Sequence, residues 1–176
     1  MAELGWPLMI NRIRDGSKNN AFAGVRIRNG KTNHHQGWDL QTPRGMHCYA
    51  VADGTILETQ TVPDQGDYGE YVILELDAPL GEVRYAFYAH LSQVLVQAGN
   101  QVKLGDPLGM VGVTGNAVKV MRGDSLYSLA LPKREDHLHF ELRSTPKPGL
   151  GLKGRVDPQE IYGKCPLNSA VVSLRP

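Results

Sequence analysis

Two histidines one residue apart, His137 and His139 in "DHLHFEL" (136–142), are the residues whose types and spacing first suggest chemistry. The segment alternates as a β-strand does, and side chains at i and i+2 of a strand share a face. His137, His139 and Glu141 therefore fall on one face, with Leu138, Phe140 and Leu142 on the other, where they read as core. A second segment, "HHQGWDL" (34–40), places His35 and Asp39 at i and i+4. Gly37 between them disfavours a helix, and an extended run also puts i and i+4 on one side. A histidine, a carboxylate and a second histidine suit a catalytic zinc, because three protein ligands leave the fourth tetrahedral position open for water. The metal would lower the pKa of that water towards neutrality and make hydroxide available as a nucleophile. His90 in "YAHLS", taken alone, reads as a structural histidine.

The elements that must position these residues are strands. Glycine and proline are plentiful, at 20 and 11 of 176 residues, and helical periodicity is scarce, which predicts a turn-rich β protein. "HCYAVADGTILETQ" predicts two short strands joined at Asp53-Gly54, a dipeptide favoured in tight hairpins. "GEYVILELD" and "VRYAFYAHL" predict an antiparallel pair around "APLGE". "NQVKLGDPLGMVGVTGNA" predicts short strands broken by glycine. "VDPQEIY" predicts a helical turn with Asp157 as N-cap and Pro158 in first position. Residues 1–34 read as irregular, with one apolar patch, "AFAGVRI". Residues 117–136 lack a clear period, and "DSLYSLAL" within them is open between a short helix and a packed loop. With no linker and no repeat, the expectation is one antiparallel β domain over residues 1–176.

Several classes are excluded on composition. A net charge of +1 without dense Lys/Arg clusters argues against nucleic acid as a partner. No apolar run approaches the roughly 20 residues that span a bilayer. The N-terminal stretch lacks the basic and apolar regions of a secretory signal, which leaves a trimmed form or another export route. Cys48 and Cys165 match no paired-thiol spacing, and a single disulfide or two small buried hydrophobes are both open.

Taken together and in order, "HQGWD" (35–39), "YAHLS" (88–92) and "HLHFE" (137–141) resemble the M23 family of zinc metallopeptidases, the lysostaphin-like or LytM-type peptidoglycan endopeptidases. "WPL", "GMHCYAVADGTI", "GNQVKLGDPLGMVGVTGNA" and "VDPQEIY" resemble further landmarks of that family in the expected order, so the resemblance runs from Trp6 to Tyr162. It implies a mostly β, antiparallel domain with long loops flanking a groove. It also implies one zinc ion per chain held by His35, Asp39 and His139. His90 and His137 match the two histidines that, without binding the metal, act as general base and stabilise the tetrahedral intermediate. The implied substrate is the peptide crosslinks of bacterial peptidoglycan, cut in the cell wall, periplasmic or extracellular. Glu141 is read as supporting structure rather than as a base, and His34 and His47 as surface residues.

Two departures from the family pattern stand out. An insertion at about 117–136 separates the glycine-rich turn from the strand carrying His137. Its role is open between groove wall, lid, partner-docking element and a neutral surface elaboration. No tyrosine stands shortly before the first zinc histidine, where some lysostaphin-like members place a stabiliser. No accessory wall-binding domain is expected within these 176 residues, which leaves room for a regulatory or delivery partner and leans the expected substrate towards D-alanine–diamino acid crosslinks. A non-catalytic module that activates a wall hydrolase is the competing function, but such modules typically lose zinc ligands. A biotinyl-type carrier lacks its lysine here.

Overall fold

The computed structural model describes residues 4–28, 30–119 and 136–173, so most of the segment read as an insertion lies outside the described residues. The strands are β1 (Ile10–Asn11), β2 (Val25–Arg28), β3 (Lys31–His34), β4 (Trp38–Gln41), β5 (His47–Tyr49), β6 (Gly54–Gln60), β7 (Glu70–Leu80), β8 (Val83–Val94), β9 (Gln101–Val102), β10 (Pro107–Val111), β11 (His137–Arg143), β12 (Arg155–Val156) and β13 (Val171–Val172). Among the described residues two short helices, α1 (Asn116–Lys119) and α2 (Pro158–Tyr162), accompany them. The main sheet is antiparallel and runs β12-β11-β8-β7-β6-β9, with β4 added beside β11 and β10 bridging β5 and β8. The fold is mostly β, as expected from composition.

Strands β7 and β8 form the expected hairpin, pairing Val72 with Tyr88 and Leu74 with Ala86. Period-2 alternation gives them two apolar faces. Val72, Leu74, Leu76, Ala86 and Tyr88 enter the main core, while Ile73, Phe87 and Ala89 form a smaller cluster on the opposite face. β11 lies between β4 and β8, so Phe140 faces Trp38 on one side and Tyr88 on the other. Every residue of β11 is buried as a result, the polar ones included. Trp6, Trp38 and Tyr162 stack with ring centroids 4.3 to 6.1 Å apart, fastening the early "WPL" segment to α2. In α2, Asp157 accepts from the amide of Gln159, and Gly163 closes the turn in the left-handed region.

Two local expectations are corrected. Asp53-Gly54 does not join a hairpin: β5 pairs with β10, and β6 pairs with β7 and β9. Gly54 is instead a point of close approach, where a Cβ would meet the carbonyl oxygen of Glu75 at 2.1 Å. The Asp53 carboxylate holds the amide of Leu104 and the ammonium of Lys103. Residues 1–34 are less irregular than they read, because β2 and β3 pair from Val25–His34 to Arg28–Lys31. This hairpin escaped detection because β3 is exposed throughout, so it carries no apolar alternation. Both cysteines are free thiols, with Cys48 buried and its thiol pushed up to about 12 by that burial. Among the described residues no helix is long and apolar enough to cross a membrane.

Candidate active site

The register of β4 against β11 places Asp39 opposite His139. His35 arrives from the turn before β4, which passes so close to β11 that a Cβ on Gly37 would meet the Phe140 carbonyl oxygen at 2.2 Å. Nε2 of His35, Oδ1 of Asp39 and Nδ1 of His139 then converge: the two nitrogens lie 3.0 and 2.9 Å from the oxygen and 3.2 Å from each other. All three residues are buried.

The outer partners decide what these atoms offer. Nδ1 of His35 donates to the carbonyl of Ala21 at 3.1 Å, and Nε2 of His139 donates to Oε1 of Glu141 at 2.8 Å. Carbonyl and carboxylate oxygens only accept, so the outer nitrogens carry the protons and the inner ones present lone pairs. Three lone-pair donors this close repel one another unless a cation or a proton sits among them. A tetrahedral zinc with bonds of 2.0–2.1 Å needs donors about 3.4 Å apart, close to the spacing here. Burial opposes charge on His139, but Asp39 and Glu141 outweigh it and its pKa is raised. Burial alone would raise the Asp39 carboxyl, yet the surrounding histidines hold it well below the usual carboxylate range. Desolvation lowers His35 despite Asp39 beside it.

His90 reaches the site through a bulge. Leu91 pairs with Glu70 and Ala89 with Tyr71, leaving His90 as an extra residue with φ of 62°. Regular alternation would send its side chain into the core beside Tyr88; the bulge turns it instead towards His137 and His139, with ring centroids 4.9 and 5.8 Å away. Nδ1 of His90 donates to the carbonyl of Thr114 at 2.8 Å, so Nε2 carries the lone pair. Burial, and the neighbouring His137 and His139, push its pKa well below that of free imidazole and keep it neutral. His137 is arranged the other way round. Its Nδ1 accepts from Nη1 of Arg14 at 3.2 Å, which leaves the proton on Nε2, 3.6 Å from Oδ1 of Asp39.

All five histidine and aspartate positions singled out in the sequence therefore meet in one place. His34 is exposed and His47 half-buried, away from this cluster. Glu141 is fully buried and accepts from Nε of Arg143 at 2.7 Å and Nε of Arg155 at 2.8 Å as well as from His139. Three residues near the cluster carried no signal in the sequence. Arg26 donates to Oδ2 of Asp39 at 2.5 Å, on the side of the carboxylate turned away from the two imidazoles. Arg14, in a short 3-10 turn, stands by His137. Tyr68 donates to Gln36 and to Glu141. Only their contacts in the folded chain distinguish these three half-buried residues from ordinary surface ones.

The sequence profile of Peptidase family M23 matches residues 33–150, a span that contains all five residues and Glu141. Peptidoglycan DD-endopeptidase ShyA of Vibrio cholerae serotype O1 is 28% identical over 122 residues, covering 69% of this chain and 23% of that protein. The chain thus spans less than a quarter of the length of that relative. An uncharacterized metalloprotease of Haemophilus influenzae is 35% identical over 86 residues, or 49% of this chain and 17% of that one. Among solved structures, the catalytic domain of the antimicrobial peptidase lysostaphin from Staphylococcus simulans superposes with a TM-score of 0.57 at 25% identity, over 82% of this chain and 90% of that one. A zinc containing peptidase from Vibrio cholerae gives a TM-score of 0.56 at 25% identity, over 85% of this chain and 41% of that one. The profile match, extending over the greater part of the sequence, shows that the chain belongs to peptidase family M23.

Proposed function

We propose that residues 1–176 form one peptidase domain, a zinc-dependent endopeptidase that hydrolyses peptide crosslinks of bacterial peptidoglycan in the periplasm or outside the cell. The observation that carries this reading is the convergence of three lone-pair donors next to two histidines whose outer nitrogens are engaged in opposite senses. His35, Asp39 and His139 would hold a single zinc ion. When bound, zinc supplies Lewis-acid chemistry, polarising the scissile carbonyl and easing deprotonation of the attacking water.

The chain's own residues divide the proton work. His90, neutral and with its Nε2 lone pair exposed by the bond from Nδ1 to Thr114, takes the proton from water as the new C–O bond forms. His137, with its proton on Nε2, donates a hydrogen bond to the oxygen on which negative charge develops. The proton held by His90 then passes to the leaving nitrogen as the C–N bond breaks. Glu141 and Ala21 hold the two ligand imidazoles in the orientation this requires.

The wall peptide as substrate is supported by family membership and by ShyA, whose name records a peptidoglycan DD-endopeptidase. The test is mass spectrometry of muropeptides released from purified sacculi of several crosslink types, with and without chelator. Chelator-sensitive products establish the enzyme and identify the bond. Bound zinc with no product from any wall type would point instead to a partner-activated regulator of another hydrolase.

A further inference from the structure

The loop 144–154 joins β11 to β12, and the register of that pair sets Arg143 directly opposite Arg155. Like charges opposite one another on adjacent strands repel. Both side chains are nonetheless almost fully buried, at 4% and 2% exposure. Oε2 of Glu141 reconciles them, accepting from Nε of Arg143 at 2.7 Å and from Nε of Arg155 at 2.8 Å. Burying three charged groups carries a desolvation cost that a simple reversal of the chain does not require.

With Nε spent on Glu141, both guanidiniums turn further donors to the loop. Nη1 of Arg143 donates to the carbonyl of Pro146 at 2.9 Å. Nη1 of Arg155 donates to the carbonyls of Gly149 and Gly151, each at 2.8 Å. The loop contains no helix or strand, so these bonds hold much of its backbone. The other carboxylate oxygen of Glu141, Oε1, accepts from Nε2 of His139 at 2.8 Å. One carboxylate therefore serves the loop with one oxygen and a donor imidazole with the other. A second route runs through Gln36, the residue after His35. Its Nε2 donates to the Gly151 carbonyl at 3.3 Å, and its Oε1 accepts from the Tyr68 hydroxyl at 2.7 Å, to which Nη2 of Arg155 donates at 3.4 Å.

We propose that Arg155 is a positioning residue for the metal centre, coupling the order of loop 144–154 to the orientation of His139 and His35. This rests on the reading of His35, Asp39 and His139 as a zinc site and goes beyond it. A planar carboxylate gripped at Oε2 by two guanidiniums keeps Oε1 aimed at His139 only while those guanidiniums stay in place. When the loop peels away, Nη1 of Arg155 loses both carbonyl acceptors and Gln36 loses its own. The guanidinium then tilts about its remaining bonds, and the hold on both donor imidazoles loosens. Linkage makes the effect reciprocal: a metal that fixes His139 also fixes Glu141, Arg155 and the loop. Zinc binding and loop order therefore rise and fall together. The arrangement needs the rigid fork of arginine, since a lysine ammonium cannot grip the carboxylate and two carbonyls in one plane.

The test is hydrogen exchange of the full chain, zinc-free and zinc-loaded, beside zinc affinity from competition with a chelator. In the wild-type protein zinc slows exchange at the amides of 144–154 as well as in β4 and β11. Arg155→Lys keeps a charge for Glu141 but not the fork. There zinc still protects β4 and β11, the protection of the loop is lost, and the zinc Kd rises about 10–100-fold. Gly151→Ala approaches the coupling from the loop. Gly151 has φ of 84° and a Cβ there meets nothing within 4 Å, so the substitution strains the loop backbone without touching Glu141. It weakens zinc binding in the same direction by a smaller factor, and it decides the matter if Arg155→Lys does not fold. Loop exchange indifferent to zinc in the wild-type protein, or wild-type affinity in a folded Arg155→Lys, overturns the coupling while leaving the metal site intact. Wild-type affinity in Gly151→Ala overturns it too, even where Arg155→Lys binds weakly, because Arg155 then acts through Glu141 alone. A wild-type protein that takes up no zinc overturns the underlying reading.

Discussion

Glu141 accepts the Nε2 proton of His139 at 2.8 Å, and this contact decides which nitrogen of His139 is left for a metal. The carboxylate is also the shared acceptor of Arg143 and Arg155, with no solvent exposure of its own. Burial alone would raise its pKa; His139 and Arg143 bring it far below the usual carboxylate range. In Glu141→Gln the acceptor for His139 can persist, but two buried guanidiniums lose their counter-charge. We expect zinc affinity to fall about 10–100-fold and folding stability to fall by about 3–5 kcal/mol. Competition with a chromophoric chelator and urea unfolding measure the two separately.

The division of labour in the cluster predicts two classes of variant. His35→Ala, Asp39→Ala and His139→Ala should each lose the zinc, read as metal content per chain after gel filtration. His90→Ala and His137→Ala should retain about one zinc while kcat falls about 10²–10⁴-fold. Near-normal hydrolysis by either of the last two would show that the proton work is done elsewhere.

Zinc affinity should weaken in acid. The pKa of His139 is raised above the 6.5 of free imidazole, whereas that of His35 is lowered, so His139 is the group whose proton the metal must displace. Protonation is favoured as pH falls, so binding is lost on the acid side. The loss begins above pH 6.5 and proceeds at about tenfold per unit for a single displaced proton. Equilibrium titrations between pH 5 and 8 test the slope, and a flat profile would refute this assignment of the proton.

His90 occupies a left-handed backbone conformation, with φ of 62°. Such a position costs a residue with a Cβ about 1–2 kcal/mol. His90→Gly and His90→Ala both remove the imidazole, but only glycine relieves the strain. His90→Gly should therefore be about 1 kcal/mol more stable than His90→Ala in urea unfolding, with both equally inactive. Equal stabilities would mean that the bulge carries no strain.

Gly37 admits no side chain. A Cβ there would meet the Phe140 carbonyl oxygen at 2.2 Å and Cγ of Glu141 at 2.8 Å. Gly37→Ala should push the His35 turn off β11, costing about 3 kcal/mol or more. The zinc content of any folded fraction should drop below one per chain. A variant with wild-type stability and full zinc would show that the turn can shift without disturbing His35.

Much of this was legible in residue order. The spacing His-x-Gly-x-Asp, the alternation of "HLHFELR" and the Asp157-Pro158 cap are local patterns, and local patterns are set by backbone periodicity and by which side chains satisfy nearby backbone groups. The paired β7 and β8 were readable because each carries apolar residues at period 2 on both faces. The β2–β3 hairpin was not, because exposed strands need no pattern. The Asp53-Gly54 turn misled because glycine serves two purposes, and here it makes room for a neighbouring strand rather than a reversal of chain direction.

The sequence by itself determined the chemical inventory of the cluster: three donors and two further imidazoles, each on a segment whose local conformation its neighbours dictate. Only the tertiary structure decided the proton on each ring and the side of the sheet that His90 occupies. Ala21, Thr114, Glu141 and Arg14 choose the nitrogen that faces inward, and all but Glu141, which sits two residues from His139 on the same strand, come from other segments of the chain. A one-residue bulge against Glu70 and Tyr71 turns His90 out of the core, where alternation would have left it. Hydrogen-bond complementarity and strand register are properties of pairs of segments, and they come into being only when the chain brings those segments together.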